Sequence, residues 1–294
     1  MHADEVPVSA DLVRRLLAAQ LPSWASLPLS RVESDGTDNA IFRLGDELSV
    51  RLPRIPSAGR QAAKEQRWLP LIAPSLPLPA PVPVVVGVPG EGYPFPWSVC
   101  RWVRGAPATP ERIGDPYAAA VDLAAYVRAM HAVDLPGGPP PGDHNFGRGR
   151  PLAERDGYFR SALAELGGEL DVAAATEAWE AALAAPVWDR PPVWVHGDLH
   201  AGNVLADGGR LSAVIDYGGL GVGDPAVDVM PAWTFVAPEA RETFRNALGY
   251  DDATWARGRG WALSMGLIAL PYYRTRSPAI AAMSRHWIDA ALAG

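Results

Sequence analysis

Two short stretches concentrate the residues that could do chemistry in this chain. Residues 193–203 read V-W-V-H-G-D-L-H-A-G-N, and residues 213–217 read A-V-I-D-Y. In the first, Asp198 stands two residues after His196 and five before Asn203. In the second, an apolar run that reads as a strand ends in one more carboxylate, Asp216. An H-x-D-x-x-x-x-N turn followed by such an aspartate is the pattern that phosphoryl transfer requires. Asp198 would accept or orient the proton of an attacking hydroxyl. The Asn203 amide oxygen and the Asp216 carboxylate would hold Mg²⁺ against nucleotide phosphates. Hard oxygen ligands suit Mg²⁺, which keeps waters and takes few protein ligands.

The same residues admit a rival. H-G-D-L-H places His196, Asp198 and His200 within five positions, a pattern that a metal-dependent hydrolase also uses. With six histidines in the chain, no second dense His/Asp cluster supplies the ligands a binuclear centre needs. His196 reads better as a packed, hydrogen-bonded support beneath the turn, and His200 stays open. A G-x-S-x-G elbow, a Walker A loop and a G-x-G-x-x-G before a helix are all absent from the sequence.

The elements that must position these residues follow from periodicity. Ser9 is a suitable N-cap for a first helix with Leu12, Val13, Leu16 and Leu17 on one face. Strands are expected at 27–34, 40–44 and 48–52. Between the first two, Ser34, Gly36 and Asn39 belong to a small polar turn whose backbone N–H groups could approach a phosphate. Taken alone it reads equally as a hairpin turn. Arg51 ends the third strand, and Glu65 lies in a helix that starts after Gly59. A strand cation and a helix glutamate can form the ion pair that steadies nucleotide phosphates, or a surface pair of little worth. The proline-rich stretch 70–83 reads as a semi-rigid connector, with two more strands at 82–88 and 97–103.

Beyond Arg104 the pattern turns helical: 116–131, 152–170, 172–184, 239–248, 252–270 and 279–292. Carboxylates on the second and third of these read as a solvated face. Asp224, followed by Pro225, reads as a helix cap, and together with Asp228 it would tie down the active loop. Trp233, Trp255, Trp261 and Trp287 read as core residues. The expected fold class is α+β, with an antiparallel five-stranded N-terminal lobe over 1–104 and a mainly helical lobe over 105–294.

Composition limits the function. A net charge of −7 argues against a nucleic-acid partner and favours a cationic or neutral substrate over a polyanion. One cysteine, Cys100, allows no intrachain disulfide and no thiolate cluster. No basic-then-apolar leader opens the chain, and its longest apolar run, near 261–273, is too short and interrupted to span a membrane. A cytoplasmic enzyme is therefore expected. Lys64 is the single lysine among many arginines.

Three segments together, H-G-D-L-H-A-G-N-V-L, V-I-D-Y-G and G-D-P-A-V-D, resemble the catalytic and metal-binding segments of the aminoglycoside phosphotransferase family. Its members are small-molecule kinases with a protein-kinase-like fold. The resemblance is strong over 192–233, weaker over 31–65 and architectural elsewhere. It implies ATP and Mg²⁺ as cofactors, Asp198 as base, and Asn203 and Asp216 as metal ligands. It also implies a hinge at Arg101–Val103 whose backbone would bond the adenine. Arg51 falls where many kinases of this fold carry a phosphate-binding lysine, with Glu65 as its partner. Arginine keeps the charge but is bulkier and forked. That departure, with the glycine-poor 34–39 turn, motivates an alternative of nucleotide binding with little or no transfer.

Overall fold

Ser9 accepts the Leu12 N–H at 3.2 Å and so starts α1 (Ala10–Gln20), which buries Leu12, Val13, Leu16 and Leu17. The computed structural model describes residues 5–32 and 38–294. The apolar face of α1 lies on an antiparallel sheet of β1 (Leu29–Arg31), β2 (Asn39–Leu44), β3 (Leu48–Pro53), β4 (Pro83–Gly87) and β5 (Trp97–Arg101). The spatial order is β1-β2-β3-β5-β4. Ala40, Phe42 and Leu44 on β2, Val50 and Leu52 on β3, and Trp97 and Val99 on β5 join α1 in one core. Successive strand residues point to opposite faces. With Val50 and Leu52 on the α1 side, Arg51 projects to the other, where α2 (Pro56–Ile72) lies.

Three differences from expectation have local causes. β1 is shorter than 27–34, because the Leu27 N–H is spent on the Trp24 carbonyl at 3.1 Å. α2 starts at Pro56, since proline fits the first helical turn. It also runs through Pro70 into the stretch expected to be a connector. Proline there forfeits one helical bond, but Trp68, Leu69 and Ile72 are buried in the larger core, and that burial outweighs the loss.

The remainder comprises β6 (Ala106–Pro107), α3 (Pro116–His131), α4 (Asp156–Glu165), α5 (Val172–Ala184), β7 (Val193–Val195), β8 (Val204–Asp207), β9 (Arg210–Val214), β10 (Gly221–Gly223), α6 (Pro231–Thr234), α7 (Arg241–Leu248), α8 (Asp252–Tyr273) and α9 (Pro278–Ala293). Asp115 caps α3, with Pro116 in the first turn. The helix expected over 152–170 is a 3₁₀ turn at Leu152–Arg155 followed by α4, which stops before the Gly167-Gly168 pair. Trp179, Trp194, Trp233, Trp261 and Trp287 are buried in this second core, whereas Trp255 is half-buried. β6, β8 and β9 form a small sheet, and β7 pairs with β10. The fold class is α+β as expected, a five-stranded antiparallel sheet followed by a mostly helical part. No helix of the described residues is long and apolar enough to cross a membrane.

Candidate active site

β7 feeds directly into the loop that carries Asp198, and side chains take the backbone groups of residues 196–198. The fully buried carboxylate of Asp228 accepts two of its N–H groups, from His196 and Gly197, each at 2.7 Å. Gly197 has φ +81°, and a Cβ there would lie 2.8 Å from the Gly219 carbonyl oxygen. Only glycine allows the two loops to approach this closely. His196 is buried; its Nε2 lies 3.1 Å from the Ile215 carbonyl, and its Nδ1 accepts the Asp198 N–H at 3.3 Å. Burial holds its imidazole below the ordinary value, against the pull of Asp228, Asp198 and Asp216.

The Asp198 side chain is 29% exposed. Asn203 donates Nδ2 to its carboxylate at 3.1 Å and to its carbonyl at 2.9 Å. Arg148 donates Nη2 to the other carboxylate oxygen at 3.4 Å, and His200 Nε2 lies 3.8 Å from the oxygen that Asn203 bonds. Burial would raise the Asp198 carboxyl, but Arg148, His200 and His196 outweigh it and hold it below the ordinary value. The group is therefore an anion at neutral pH, with access to solvent.

With its nitrogen committed to Asp198, Asn203 has its amide oxygen left for a cation. The Asn203 carbonyl accepts the Ile215 N–H at 2.8 Å, which ties this loop to the segment bearing Asp216. β9 ends at Val214, so Asp216 lies two residues beyond the strand that was expected to end on it. It adopts φ +60°, a left-handed conformation that is uncommon outside glycine. Its side chain is 51% exposed, and its Oδ1 accepts the Gly218 N–H at 3.3 Å and faces Arg51 Nη2 at 3.6 Å.

Arg51 donates Nη1 to Glu65, and both are largely buried. Burial would lower the Arg51 guanidinium, yet Glu65 and Asp216 hold it above its ordinary value. Burial raises the Glu65 carboxyl, with Arg51 opposing. Beside them, Lys64 donates Nζ to the Gly218 carbonyl at 2.8 Å and to the His144 carbonyl at 3.2 Å. Burial pushes this lysine down to about 8.

Asn39 opens β2, and its Oδ1 is buried without a hydrogen-bond partner among the described residues. Ser34 and Gly36 lie outside the described residues. β5 ends at Arg101, short of the expected 103, although the next N–H, that of Trp102, still bonds the in-register Glu47 carbonyl at 2.8 Å. Val103 lies beyond the strand, and its N–H and C=O make no hydrogen bond among the described residues.

The hydrolase alternative fails on this geometry. Both ring nitrogens of His196 are engaged by backbone, and His200 Nδ1 accepts the Gly202 N–H at 3.0 Å. Among the described residues no group of three His, Cys, Asp or Glu side chains is placed to hold a metal ion.

The model of the phosphotransferase enzyme family matches residues 29–261. The chain belongs to that family. Its fold is shared by the GDP complex of an aminoglycoside 2'-phosphotransferase of type IIIa, at 18% identity and a TM-score of 0.75, over 96% of this chain and 97% of that one. A macrolide 2'-phosphotransferase from Brachybacterium faecium superposes at 24% identity and a TM-score of 0.62, over 97% and 98%. A streptomycin–ATP complex of a type IIa aminoglycoside phosphotransferase does so at 18% identity and a TM-score of 0.63, over 98% and 97%. No curated protein sequence matches the chain.

Three polar residues in or next to this candidate site escape the sequence reading. Lys64 adjoins Glu65 but carries no motif. Arg148 sits in an R-G-R run whose pairing with Asp198 spans fifty positions. Arg155 looks like one more charge in a helical stretch. The single available signal was the uniqueness of Lys64 in an arginine-rich chain.

Proposed function

We propose that the phosphotransferase moves the γ-phosphoryl group of ATP to a hydroxyl of a small molecule. The observation that carries this reading is the environment of Asp198: an ionised, partly exposed carboxylate fixed by Asn203 and Arg148. In the proposed step the acceptor oxygen attacks the γ-phosphorus, its proton passes to Asp198, and the bond to the leaving ADP oxygen breaks. Catalysis rests on positioning and charge neutralisation, with no covalent enzyme intermediate. Asn203 and Asp216 would hold Mg²⁺, which would neutralise phosphate charge. The amide oxygen, which makes no hydrogen bond among the described residues, and the half-exposed carboxylate are the hard donors such an ion takes.

Arg51, braced by Glu65, supplies the phosphate-binding cation, and Asn39, with Ser34 and Gly36, covers the phosphates. The backbone at Arg101 and Val103 receives the adenine. On this reading residues 1–104 form the nucleotide-binding lobe and 105–294 the lobe with catalytic and acceptor-binding elements. The nucleotide complexes of the matched folds, with GDP and with ATP, support the nucleotide assignment.

The test is ADP release from Mg²⁺ and ATP across a panel of hydroxyl compounds, with product phosphorylation read by mass spectrometry. Acceptor-dependent release that Asp216→Ala abolishes is expected. Titration calorimetry then checks the metal: Asp216→Ala should remove the Mg²⁺ dependence of ATP binding, and Asn203→Ala should weaken it less. Failure of ATP to bind with or without Mg²⁺ would sink the reading.

A further inference from the structure

Arg148 stands beside Asp198, and a second guanidinium, that of Arg155, shares the Met265 sulfur with it. Arg148 pairs with Asp198 at 3.4 Å, and its buried Nε has no hydrogen-bond partner among the described residues. Arg155 projects from the 3₁₀ turn before α4 toward the middle of α8. There its Nε donates to the Ser264 hydroxyl at 2.7 Å, and its guanidinium lies 4.6 Å from the centre of the Trp261 ring. Both arginines reach the Met265 sulfur: Arg148 donates Nη1 to it, and Arg155 Nη2 lies 4.0 Å from it. Among the described residues no carboxylate pairs with Arg155.

Among the described residues this cluster has two cations and one anion. A hydroxyl, a thioether and an indole face are weak compensation for a buried guanidinium. Burial and the neighbouring Arg148 push Arg155 down to about 9, still charged at neutral pH. Burial also lowers Arg148, against Asp198. A second anion is what the arrangement lacks. The arginine fork matches a carboxylate or phosphate through two parallel N–H bonds. Around these side chains Tyr158 acts on Arg155, His200 and His196 act on Asp198, and the Tyr273 phenol responds to Asp198 and to Asp38.

We infer that the acceptor is a hydroxyl compound bearing an anionic group, a carboxylate or phosphate that Arg148 and Arg155 bind while its hydroxyl meets Asp198. The inference rests on Asp198 being the base of the proposed transfer. It reverses the preference suggested by the net charge of −7. Gentamicin and kanamycin, named for two matched structures, carry several amines and would meet repulsion here.

Matched acceptors that differ only in charge test the idea: gluconate, gluconamide and glucamine, with glucose 6-phosphate as the phosphate arm and kanamycin as the polycation. Binding is read by calorimetry on the full chain, and turnover by ADP release. Gluconate or glucose 6-phosphate should bind at least about tenfold more tightly than gluconamide, the scale of one charge-assisted bond, and glucamine and kanamycin more weakly still. The stronger of the two anions identifies the group. Arg155→Gln should erase that preference while leaving ATP affinity unchanged, whereas a merely structural brace would lower thermal stability and spare the preference. Arg155→Lys should restore part of it. Equal binding across the gluconate set, no binding of either anion, or better turnover of kanamycin would overturn the inference. Anion binding that needs Arg155 but is accompanied by no ATP binding would leave the anion site standing and remove the kinase reading.

Discussion

Asp198 and Asp216 are held by opposite means. The Asp198 loop is fixed from within its own half of the chain. Asp228 takes two of its backbone N–H groups, His196 lies beneath it, and Asn203 and Arg148 hold the carboxylate. Asp216 is half-exposed, in a left-handed conformation, and besides the Gly218 N–H two residues on, its neighbours come from far away in sequence: Arg51 on β3, and Lys64 on α2 through the Gly218 carbonyl. The first carboxylate is thus placed by side chains of its own half of the chain. The second is placed by charged side chains that reach across from the sheet and its helix. The comparison predicts that Asp198 keeps its position without nucleotide, and that Asp216 depends on the packing of β3 and α2 against the second half.

The largest effect should come from Asp198→Asn. The isosteric amide keeps the loop but cannot take a proton, so turnover should fall by about 10²–10⁴-fold, the usual contribution of a positioned base. ATP affinity, measured by calorimetry, should hold. Near-normal turnover would show that the rigid side of the site is not the chemical side.

Asp228→Ala tests the rigidity itself. It strands two buried N–H groups and removes a charged acceptor, so unfolding stability should drop by about 3 kcal/mol. Denaturant midpoints read this directly. A loss within about 0.5 kcal/mol would mean that the loop holds without its buried anchor.

Lys64 probes the other side through pH. It sits at about 8 in the fold against an ordinary 10.5. Between these values the unfolded chain binds more protons, so this residue opposes folding below about pH 8, and stability rises as pH climbs toward 10.5. The difference between wild type and Lys64→Met should therefore shift toward wild type over that window, by up to about 3 kcal/mol. A difference that stays flat from pH 7 to about 10.5 would mean that Lys64 keeps an ordinary, solvated ammonium.

The same contrast explains what could be read from the sequence. Asp198, Asn203 and Asp216 lie within one short segment, so their spacing carries the chemistry. The cap at Ser9 and the period of α3 are likewise local signals. Arg148 with Asp198, Lys64 with Gly218 and Arg155 with Ser264 are 50, 154 and 109 positions apart. Such pairs exist only after packing and leave no periodic trace. The misplaced ends of α2 and α4 arose where tertiary burial overrode a proline and where a Gly-Gly pair stopped a helix.

The finest test concerns Arg51, the arginine standing where many kinases of this fold carry lysine. Its guanidinium donates to Glu65 and faces Asp216 at 3.6 Å, and its Nε remains without a partner among the described residues. A forked cation can serve two carboxylates and still present a donor to a phosphate. Arg51→Ala should therefore weaken ATP binding by about 1–3 kcal/mol, the scale of losing a charged hydrogen-bond partner. Arg51→Lys keeps the charge and loses the fork. If Glu65 needs only a point charge, calorimetry will show ATP affinity within about 0.5 kcal/mol of wild type. If the bond to Glu65 and the contact with Asp216 must be made together, lysine will fall near alanine, and the placement of Asp216 depends on the fork. An alanine variant with unchanged affinity would detach Arg51 and Glu65 from the nucleotide and leave the phosphates to the metal ligands and Asn39.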